Sequence, residues 1–369
     1  MKRLLFLLGI SFSVVVAGQP GKTAWPLFRG DAGLTGKAET TLPAAPRLLW
    51  SYAGGARTVS SPVTDGNMIF FGDNNGVLHA VTSDGKPAWK HDTETTIESA
   101  PVISEGMVIY GSLDGKLRAL DAKTGKEVWT YATENQISGS ANITKGPAGP
   151  AVIVGSYDYN LHSVSAKTGK VIWKFETDNF INGTPAISSD MIVFGGCDGF
   201  LRIVNSLTGL EVRNTPVDVY IAASPALTAG KAYVGDYEGS VYCFDLKTGE
   251  TIWKAPGKDE TSVITATPAV SGNRVLIGNE DKKFYCFDAT TGKELWTFPT
   301  NGRITGSAVV AGNKVLFGSR DSKVYILDIT NGKELWKFDA GKQVGSSPAV
   351  AGKVFYILTE DGRLLAFGQ

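Results

Sequence analysis

Three histidines and three cysteines are the side chains in this chain best suited to metal binding or nucleophilic chemistry. A zinc centre needs its ligands about 2 Å from one ion, and an odd number of cysteines does not make a disulfide framework. Whether any of them meet depends on the fold that carries them. They are His79, His91, His162, Cys197, Cys243 and Cys286.

Carboxylates in Asp-Gly turns are a second kind of candidate, because calcium is held by carboxylate oxygens. Two such turns are Asp114-Gly115 and Asp198-Gly199. A calcium loop needs several oxygen ligands within about a dozen residues, whereas a single aspartate is what hairpin turns favour. These turns therefore indicate hairpins rather than a metal site.

The elements that carry these residues repeat along the chain. Tryptophans recur in steps of 39 to 44 residues once Arg213 is counted as an eighth position. Repeats of this length are typical of propellers. The seven tryptophans that follow this repeat are Trp50, Trp89, Trp129, Trp173, Trp253, Trp296 and Trp336.

Two further registers follow the same step. A small residue precedes proline at Ser61-Pro62, Ala100-Pro101, Thr184-Pro185, Ser224-Pro225, Thr267-Pro268 and Ser347-Pro348, with Ala141 and Ala308 replacing proline in the other repeats. A turn precedes each later tryptophan position at Asp84-Gly85, Thr124-Gly125, Thr168-Gly169, Thr208-Gly209, Thr248-Gly249, Thr291-Gly292 and Asn331-Gly332.

Each repeat contains four short β-rich segments separated by turn residues. In the second repeat they lie at 100–103, 107–111, 117–121 and 127–131. Four strands per repeat of about forty residues predict an all-β fold, a β-propeller of four-stranded antiparallel blades. Eight positions predict eight blades, and seven blades is the alternative.

The two ends of the repeat region complement each other. The last repeat, 345–367, supplies only three strands, and 47–53 offers a fourth that carries Trp50. Joining them in one blade removes open sheet edges. The sequence thus predicts a propeller over 47–369, preceded by a lead-in segment at 19–46.

Residues 1–18 read as a secretory signal. Met1-Lys2-Arg3 is basic, an apolar run follows from Leu4 to Val16, and Ala17-Gly18 ends it. About 13 residues fall short of the roughly 20 that span a bilayer. We expect a periplasmic or secreted protein with no transmembrane segment after signal removal. A retained anchor is the alternative, and no cysteine follows the run to accept a lipid.

These repeats resemble the bacterial pyrroloquinoline-quinone-type (PQQ-like) propeller repeat, which ends in Thr-Gly-x-x-x-Trp, as at 124–129 and 291–296. The chain is similar to the outer-membrane assembly factor BamB family, and the segment 25–31 resembles the lead-in of such propellers. The resemblance implies a scaffold without a bound quinone, in which the tryptophans dock blade on blade. Arg213 departs from the pattern, so its interface should be weaker or differently packed.

The propeller separates the candidate metal and thiol groups. His79 and His162 share one repeat position in blades one and three, too far apart to bind one ion. Cys243 and Cys286 share another position on neighbouring sheets, roughly 10 Å apart and beyond disulfide reach. Cys197 lies in a turn and could be exposed. We predict no catalytic residue, no metal and no cofactor.

Quinoprotein dehydrogenases are the enzymatic alternative, because they have the same type of repeat. The resemblance implies that such enzymes insert long loops, hold calcium with acidic and amide residues, use an aspartate base and often stack the quinone on a disulfide of adjacent cysteines. This chain has no Cys-Cys pair and no long insertion.

A ring of loop residues before the first strand of each blade is the candidate binding face. We hypothesise that Arg57, Phe180, Tyr220 and Arg303 contact a protein partner, since loops carry function on rigid scaffolds and such residues are common in hot spots. The alternatives are loops that merely cover the axis, or a carbohydrate-binding surface. Lys+Arg 36 against Asp+Glu 36 gives no basic excess for nucleic acid. We expect a monomer.

Overall fold

A computed structural model describes residues 24–146, 148–217, 219–257 and 262–369. The predicted signal at 1–18 lies outside the described residues. Strands and turns make up the described chain, which contains no helix capable of crossing a membrane.

Eight four-stranded antiparallel blades form the fold, which confirms the predicted eight-bladed propeller, and in one blade a short strand of the lead-in adds a fifth, parallel strand. Within blades one to seven, strand order follows the chain, and the first strands of neighbouring blades contact one another around the axis. Two short segments precede them, β1 (Lys37–Ala38) and β2 (Arg47–Ala53).

The strands of blades one to four are as follows. Blade one has β3 (Val63–Thr64), β4 (Met68–Gly72), β5 (Val77–Thr82) and β6 (Pro87–Asp92). Blade two has β7 (Val102–Ser104), β8 (Met107–Gly111), β9 (Lys116–Asp121) and β10 (Glu127–Ala132). Blade three has β11 (Asn142–Gly146), β12 (Gly149–Gly155), β13 (Asn160–Ser165) and β14 (Val171–Glu176). Blade four has β15 (Ala186–Ser188), β16 (Met191–Gly195), β17 (Phe200–Asn205) and β18 (Glu211–Pro216).

Blades five to eight repeat this plan. Blade five has β19 (Ala226–Thr228), β20 (Lys231–Gly235), β21 (Val241–Asp245) and β22 (Thr251–Ala255). Blade six has β23 (Ala269–Ser271), β24 (Arg274–Gly278), β25 (Lys283–Asp288) and β26 (Glu294–Pro299). Blade seven has β27 (Val309–Ala311), β28 (Lys314–Gly318), β29 (Lys323–Asp328) and β30 (Glu334–Asp339). Blade eight has β31 (Ala349–Ala351), β32 (Val354–Leu358) and β33 (Arg363–Gly368), with β2 as its outer strand.

Blade eight closes the ring with both ends of the propeller region. Strand β2 pairs antiparallel with β33, with Arg47 opposite Gly368 and Ala53 opposite Arg363. The predicted closure by the N-terminal strand is confirmed. The outer strand of the last blade is thus built from residues more than 300 positions upstream of its neighbour.

The core lies between the faces of adjacent blades. The middle strands are buried on both faces, and every residue of β8 is buried, because each sheet is covered by a blade on either side. The outer strands alternate between half-buried and exposed residues, as in β14. This pattern follows from the two-residue period of a strand that packs on one face only.

Tryptophans of the outer strands lie on the turn of the following blade. The Trp89 indole donates from Nε1 to the Ala122 carbonyl at 3.1 Å, and its ring covers Gly125, where a Cβ would lie 2.7 Å from ring atoms. Arg213 occupies this position in blade four and donates from Nη2 to the Lys247 carbonyl at 3.0 Å, one residue further along the turn than the carbonyl that Trp89 reaches. The same indole bond is made by Trp50, Trp89, Trp129, Trp173, Trp253 and Trp296. Trp336 packs edge-on against Phe355 and Phe367.

The lead-in segment crosses one end of the ring and bonds to blades one to seven in order. It begins with a bridge from Trp25 to Thr64 and ends with β1 parallel to β27. Between them, carbonyls of the lead-in accept from the first strands of other blades, for example Gly33 from the Leu227 amide at 2.7 Å. This segment therefore covers the axis at that end.

Arg29 of the lead-in is the largest fully buried side chain, with 1 % exposure. Its guanidinium donates to the backbone carbonyls of Pro268, at 3.2 Å, and Ala308. Burial lowers the pKa of Arg29 to about 9, against the opposing effect of Asp31, so the side chain is charged at neutral pH. It ties the lead-in to blades six and seven.

Candidate functional site

One backbone hydrogen bond, repeated in every blade, pairs two loop residues at the end of the ring opposite the lead-in. The amide of Tyr237, between the second and third strands, donates to the carbonyl of Tyr220, in the loop entering the first strand, at 3.1 Å. We call these sixteen residues the loop face. The pairs are Asn74 with Arg57, Leu113 with Thr96, Tyr157 with Gln136, Cys197 with Phe180, Tyr237 with Tyr220, Glu280 with Val263, Arg320 with Arg303, and Glu360 with Gln343.

The four residues predicted to bind a partner all lie on the loop face, in two separate sectors. Phe180 and Tyr220 lie in the loops that lead into the neighbouring blades four and five. Arg303 and Arg57 lie in the loops that lead into blades seven and one. Each of the two aromatic residues is joined by further aromatic side chains, and each of the two arginines by glutamates.

An aromatic sector covers blades three to five. The Phe180 ring stacks on Tyr157, with centroids 4.6 Å apart, and tilts against Tyr159 at 5.4 Å. Exposed fractions of 42 % for Tyr159, 58 % for Tyr220 and 48 % for Tyr237 leave these rings open to solvent. Sequence reasoning missed Tyr157, Tyr159 and Tyr237. The signal was available, because Tyr157 and Tyr237 share one turn position of the repeat.

A charged sector covers blades six to eight and the start of blade one. Arg320 Nε lies 2.8 Å from Glu360 Oε1, and Arg57 lies 3.5 Å from the other oxygen of Glu360. Arg303 pairs with Glu280 at 3.0 Å. Glu280, Arg320 and Glu360 line a cleft of about 320 Å³. Each of the three arginines thus already has a glutamate partner within the sector.

An axial pocket of about 180 Å³ opens between the two sectors. Small and hydroxyl side chains of the first strands line it, as eight strands around an axis require, and Phe28 of the lead-in also reaches it. Glu98 is its one carboxylate and Asn182 its one carboxamide. Burial raises the pKa of Glu98, and among the described residues Glu98 has no ion-pair partner.

The histidines of the shared repeat position are tied into separate blades. His79 Nε2 lies 2.8 Å from Asp73, and Tyr52 contacts its other ring nitrogen at 3.2 Å. His162 is bound in the same way by Asp158 and Tyr131. Burial acts to raise the pKa of Asp158, but the hydrogen bond and charge of His162 outweigh it and hold that pKa well below its ordinary value.

The remaining candidates make no reactive centre. His91 contacts the Tyr110 hydroxyl at 3.1 Å. Burial raises the pKa of Cys243 to about 11 and that of Cys286 to about 12, so both thiols are protonated at neutral pH. Burial also raises the pKa of Cys197, which receives a bond from Asn182 at 3.2 Å. The described residues hold no group of three or more His, Cys, Asp or Glu arranged for a metal ion.

The propeller family described as "Beta-alanine-activating enzyme, beta-propeller" matches residues 104–367. The chain belongs to this β-propeller family. The match spans most of the repeat region, from blade two to the last strand.

Curated relatives of this propeller include proteins of two different kinds. Outer membrane protein assembly factor BamB of Burkholderia pseudomallei is 30 % identical over 119 residues, 31 % of each chain. Quinohemoprotein alcohol dehydrogenase of Comamonas testosteroni is 32 % identical over 114 residues, 27 % of this chain and 16 % of the relative. The chain thus matches less than a third of the length of either relative.

Solved structures show the same fold. BamB from Moraxella catarrhalis aligns with a TM-score of 0.74 at 20 % identity, over 88 % of this chain and 98 % of that one. The Comamonas testosteroni quinohemoprotein alcohol dehydrogenase aligns with a TM-score of 0.80 at 14 % identity, over 94 % of this chain and 80 % of that one. Together with the BamB relatives, these support the predicted PQQ-like, BamB-type propeller.

Proposed function

We propose that this propeller is an exported, non-catalytic scaffold of the cell envelope that binds a protein partner through its loop face. One observation carries the proposal. The repeated backbone bond fixes two side chains per blade on one rigid face, and in blades four and five it leaves Tyr220 and Tyr237 exposed beside Phe180. Aromatic residues on a preformed surface bind at low entropic cost.

The other end of the ring is less suited to a partner, because the lead-in already occupies its axis. The similarity to BamB, whose name describes an outer-membrane assembly factor, supports a place in the envelope. The basic start and apolar run of residues 1–18 support export.

Protein capture by the immobilised full chain tests the proposal. Replacing Arg57, Phe180, Tyr220 and Arg303 by alanine should reduce partner capture from an envelope extract at least about tenfold, because each hot-spot residue contributes about 1–2 kcal/mol. Glu105→Ala with Lys353→Ala, in exposed turns at the other end, is the control. Capture that survives the quadruple replacement would overturn the proposal.

A quinoprotein dehydrogenase is the second candidate, favoured by the 32 % identity to the alcohol dehydrogenase. The residues present do not fit a quinone held on calcium beside a disulfide. The axial pocket offers one carboxylate and one carboxamide, and the three cysteines of the chain form no disulfide. An absorbance spectrum after incubation with the quinone and calcium tests this candidate: a bound chromophore with dye-linked alcohol oxidation would favour it.

A further inference from the structure

The aromatic sector is surrounded by acidic side chains that point to one class of partner. Its loops, 132–137, 156–160, 176–181, 196–200, 216–221 and 236–240, contain no lysine or arginine. Four of their carboxylates belong to exposed residues. These are Glu134, Glu176, Asp178 and Glu238.

The carboxylates nearer the interior are already used. Asp158 binds His162, Asp198 binds Arg202 at 2.7 Å, and Asp236 accepts from the Tyr242 hydroxyl. These four exposed carboxylates have little internal compensation. Among the described residues, only Asp178 forms an ion pair, with Arg202 at 3.3 Å, and that arginine is already bound by Asp198 and Glu211. A net negative rim therefore surrounds the exposed rings.

Aromatic faces and carboxylates together select cations. A guanidinium or ammonium group is attracted to the face of an aromatic ring and, at the same time, to a nearby carboxylate. The protein makes this contact itself at neighbouring positions, where Lys254 Nζ lies 4.9 Å from the Tyr242 ring and Arg202 lies 5.0 Å from the Phe200 ring.

Glu98 extends the same chemistry to the axis. Its half-buried carboxylate lies in the axial pocket on blade two, beside blade three, and has no cation near it among the described residues. An entering lysine or arginine side chain would supply that cation.

We propose that the aromatic sector and its four exposed carboxylates bind arginine or lysine side chains on an extended segment of the partner protein. The inference rests on the proposed function, because it names the chemistry of the partner that the loop face receives. Charge complementarity also sets the orientation of the partner: its cations lie over blades three to five, away from the paired arginines of the charged sector.

Binding of short peptides to the full chain tests this inference. Fluorescein-labelled hexa-arginine should bind in fluorescence anisotropy, hexaglutamate should not, and raising NaCl from 50 to about 500 mM should weaken binding strongly. Glu134→Gln with Glu238→Gln should weaken hexa-arginine binding about fivefold to tenfold. Tyr220→Leu with Tyr237→Leu, which keeps apolar area but removes the rings, should also weaken it.

Glu105→Gln is the matched control, since it removes one exposed carboxylate at the other end of the ring. Equal hexa-arginine affinity for wild type, the double glutamine variant and this control would overturn the inference. Salt-insensitive binding of a neutral chitooligosaccharide in place of hexa-arginine would also overturn it and identify a carbohydrate surface. A third outcome separates the two proposals. If the quadruple alanine variant loses partner capture but the wild-type protein does not bind hexa-arginine, the inference is overturned and the proposed function still stands.

Discussion

Aspartates in the turns between second and third strands each hold the side chain at one repeat position of the third strand. His79, Arg118, His162, Arg202 and Tyr242 bind Asp73, Asp114, Asp158, Asp198 and Asp236 respectively. Blade eight has Leu365 there, and its Asp361 binds Arg363 instead. Such a pair satisfies a buried polar group that would otherwise cost stability. Each turn is thereby anchored to its own blade beneath the loop face.

These pairs show what sequence reasoning could reach at the residue scale. The shared repeat position of His79 and His162 was visible, and the structure places the two residues in separate blades, as expected. Their role was missed, because the sequence shows the shared position but not the aspartate that each histidine binds. The partner aspartate lies four residues before His162 but six before His79, and only the turn geometry brings both into reach.

Glu98→Gln should stabilise the protein at neutral pH. Burial raises the pKa of Glu98 above its ordinary value of 4.5, so the folded state holds the proton more tightly than the unfolded state. The charged carboxylate therefore disfavours folding above the raised pKa, and the glutamine removes that cost. The gain should disappear below about pH 4, where the glutamate is protonated in both states.

Thermal unfolding of wild type and Glu98→Gln at pH 7.5 and pH 4 measures this effect. Glu105→Gln, an exposed change of the same kind, controls for the loss of one charge. A melting-temperature gain that is equal at both pH values would contradict the assignment of the raised pKa to the burial of Glu98.

At the scale of elements, the blade interface after blade four differs from its neighbours. Arg213 donates to the Lys247 carbonyl, one residue beyond the equivalent of the carbonyl that Trp89 reaches, and it covers Gly249, which keeps the positive φ of +78° found beneath the tryptophans. We expected a weaker or differently packed interface here. The structure places a guanidinium with a shifted acceptor and a smaller apolar surface.

Arg213→Trp should stabilise the protein by about 1 kcal/mol. The turn that receives an indole is already formed in blade five, so the ring gains buried apolar area without a change of backbone. Urea unfolding of the variant measures the gain, with Trp173→Arg in the preceding blade as the reverse change, expected to destabilise. Equal loss of stability in both variants would show that the turn beneath Arg213 cannot accept an indole as the turns beneath the tryptophans do.

The loop face shows the limit of sequence reasoning at this scale. Strand and turn patterns located every blade, and the entering loops yielded Phe180 and Tyr220. Tyr157 and Tyr237 lie in the other loop of each blade, and the backbone bond that brings the two loops together has no side-chain signature. Sequence reasoning therefore identified two of the five aromatic residues in this sector.

At the scale of the whole molecule, the lead-in links seven of the eight blades at one end of the ring. Bonds from 25–38 reach blades one to seven, and Arg29 anchors it on blades six and seven. The sequence indicated a lead-in, but its path could not be predicted, because its bonds are made by backbone groups of residues far apart in the chain.

Gly36→Ala should destabilise the protein by displacing the buried guanidinium of Arg29. Gly36 has a φ of +63°, and an added Cβ would collide with the guanidinium. Gly341→Ala is the matched control, since its φ is +69° with open space around it. Both pay about 1 kcal/mol for the backbone, and Gly36→Ala should cost about 2 kcal/mol more. Equal unfolding free energies of the two variants in guanidinium chloride titrations would contradict the role of Arg29 in anchoring the lead-in.

The pairing of β2 with β33 in blade eight also determines when the last sheet can form during synthesis. Strand β2 is made early, yet its sheet neighbour, β33, follows the strands of the seven other blades in the chain. Through the making of seven blades, the polypeptide therefore carries an unpaired strand edge capable of pairing with other chains. Truncation before Arg363 would leave that edge permanently open, so the presence of β33 governs whether the newly made protein stays free of aggregation.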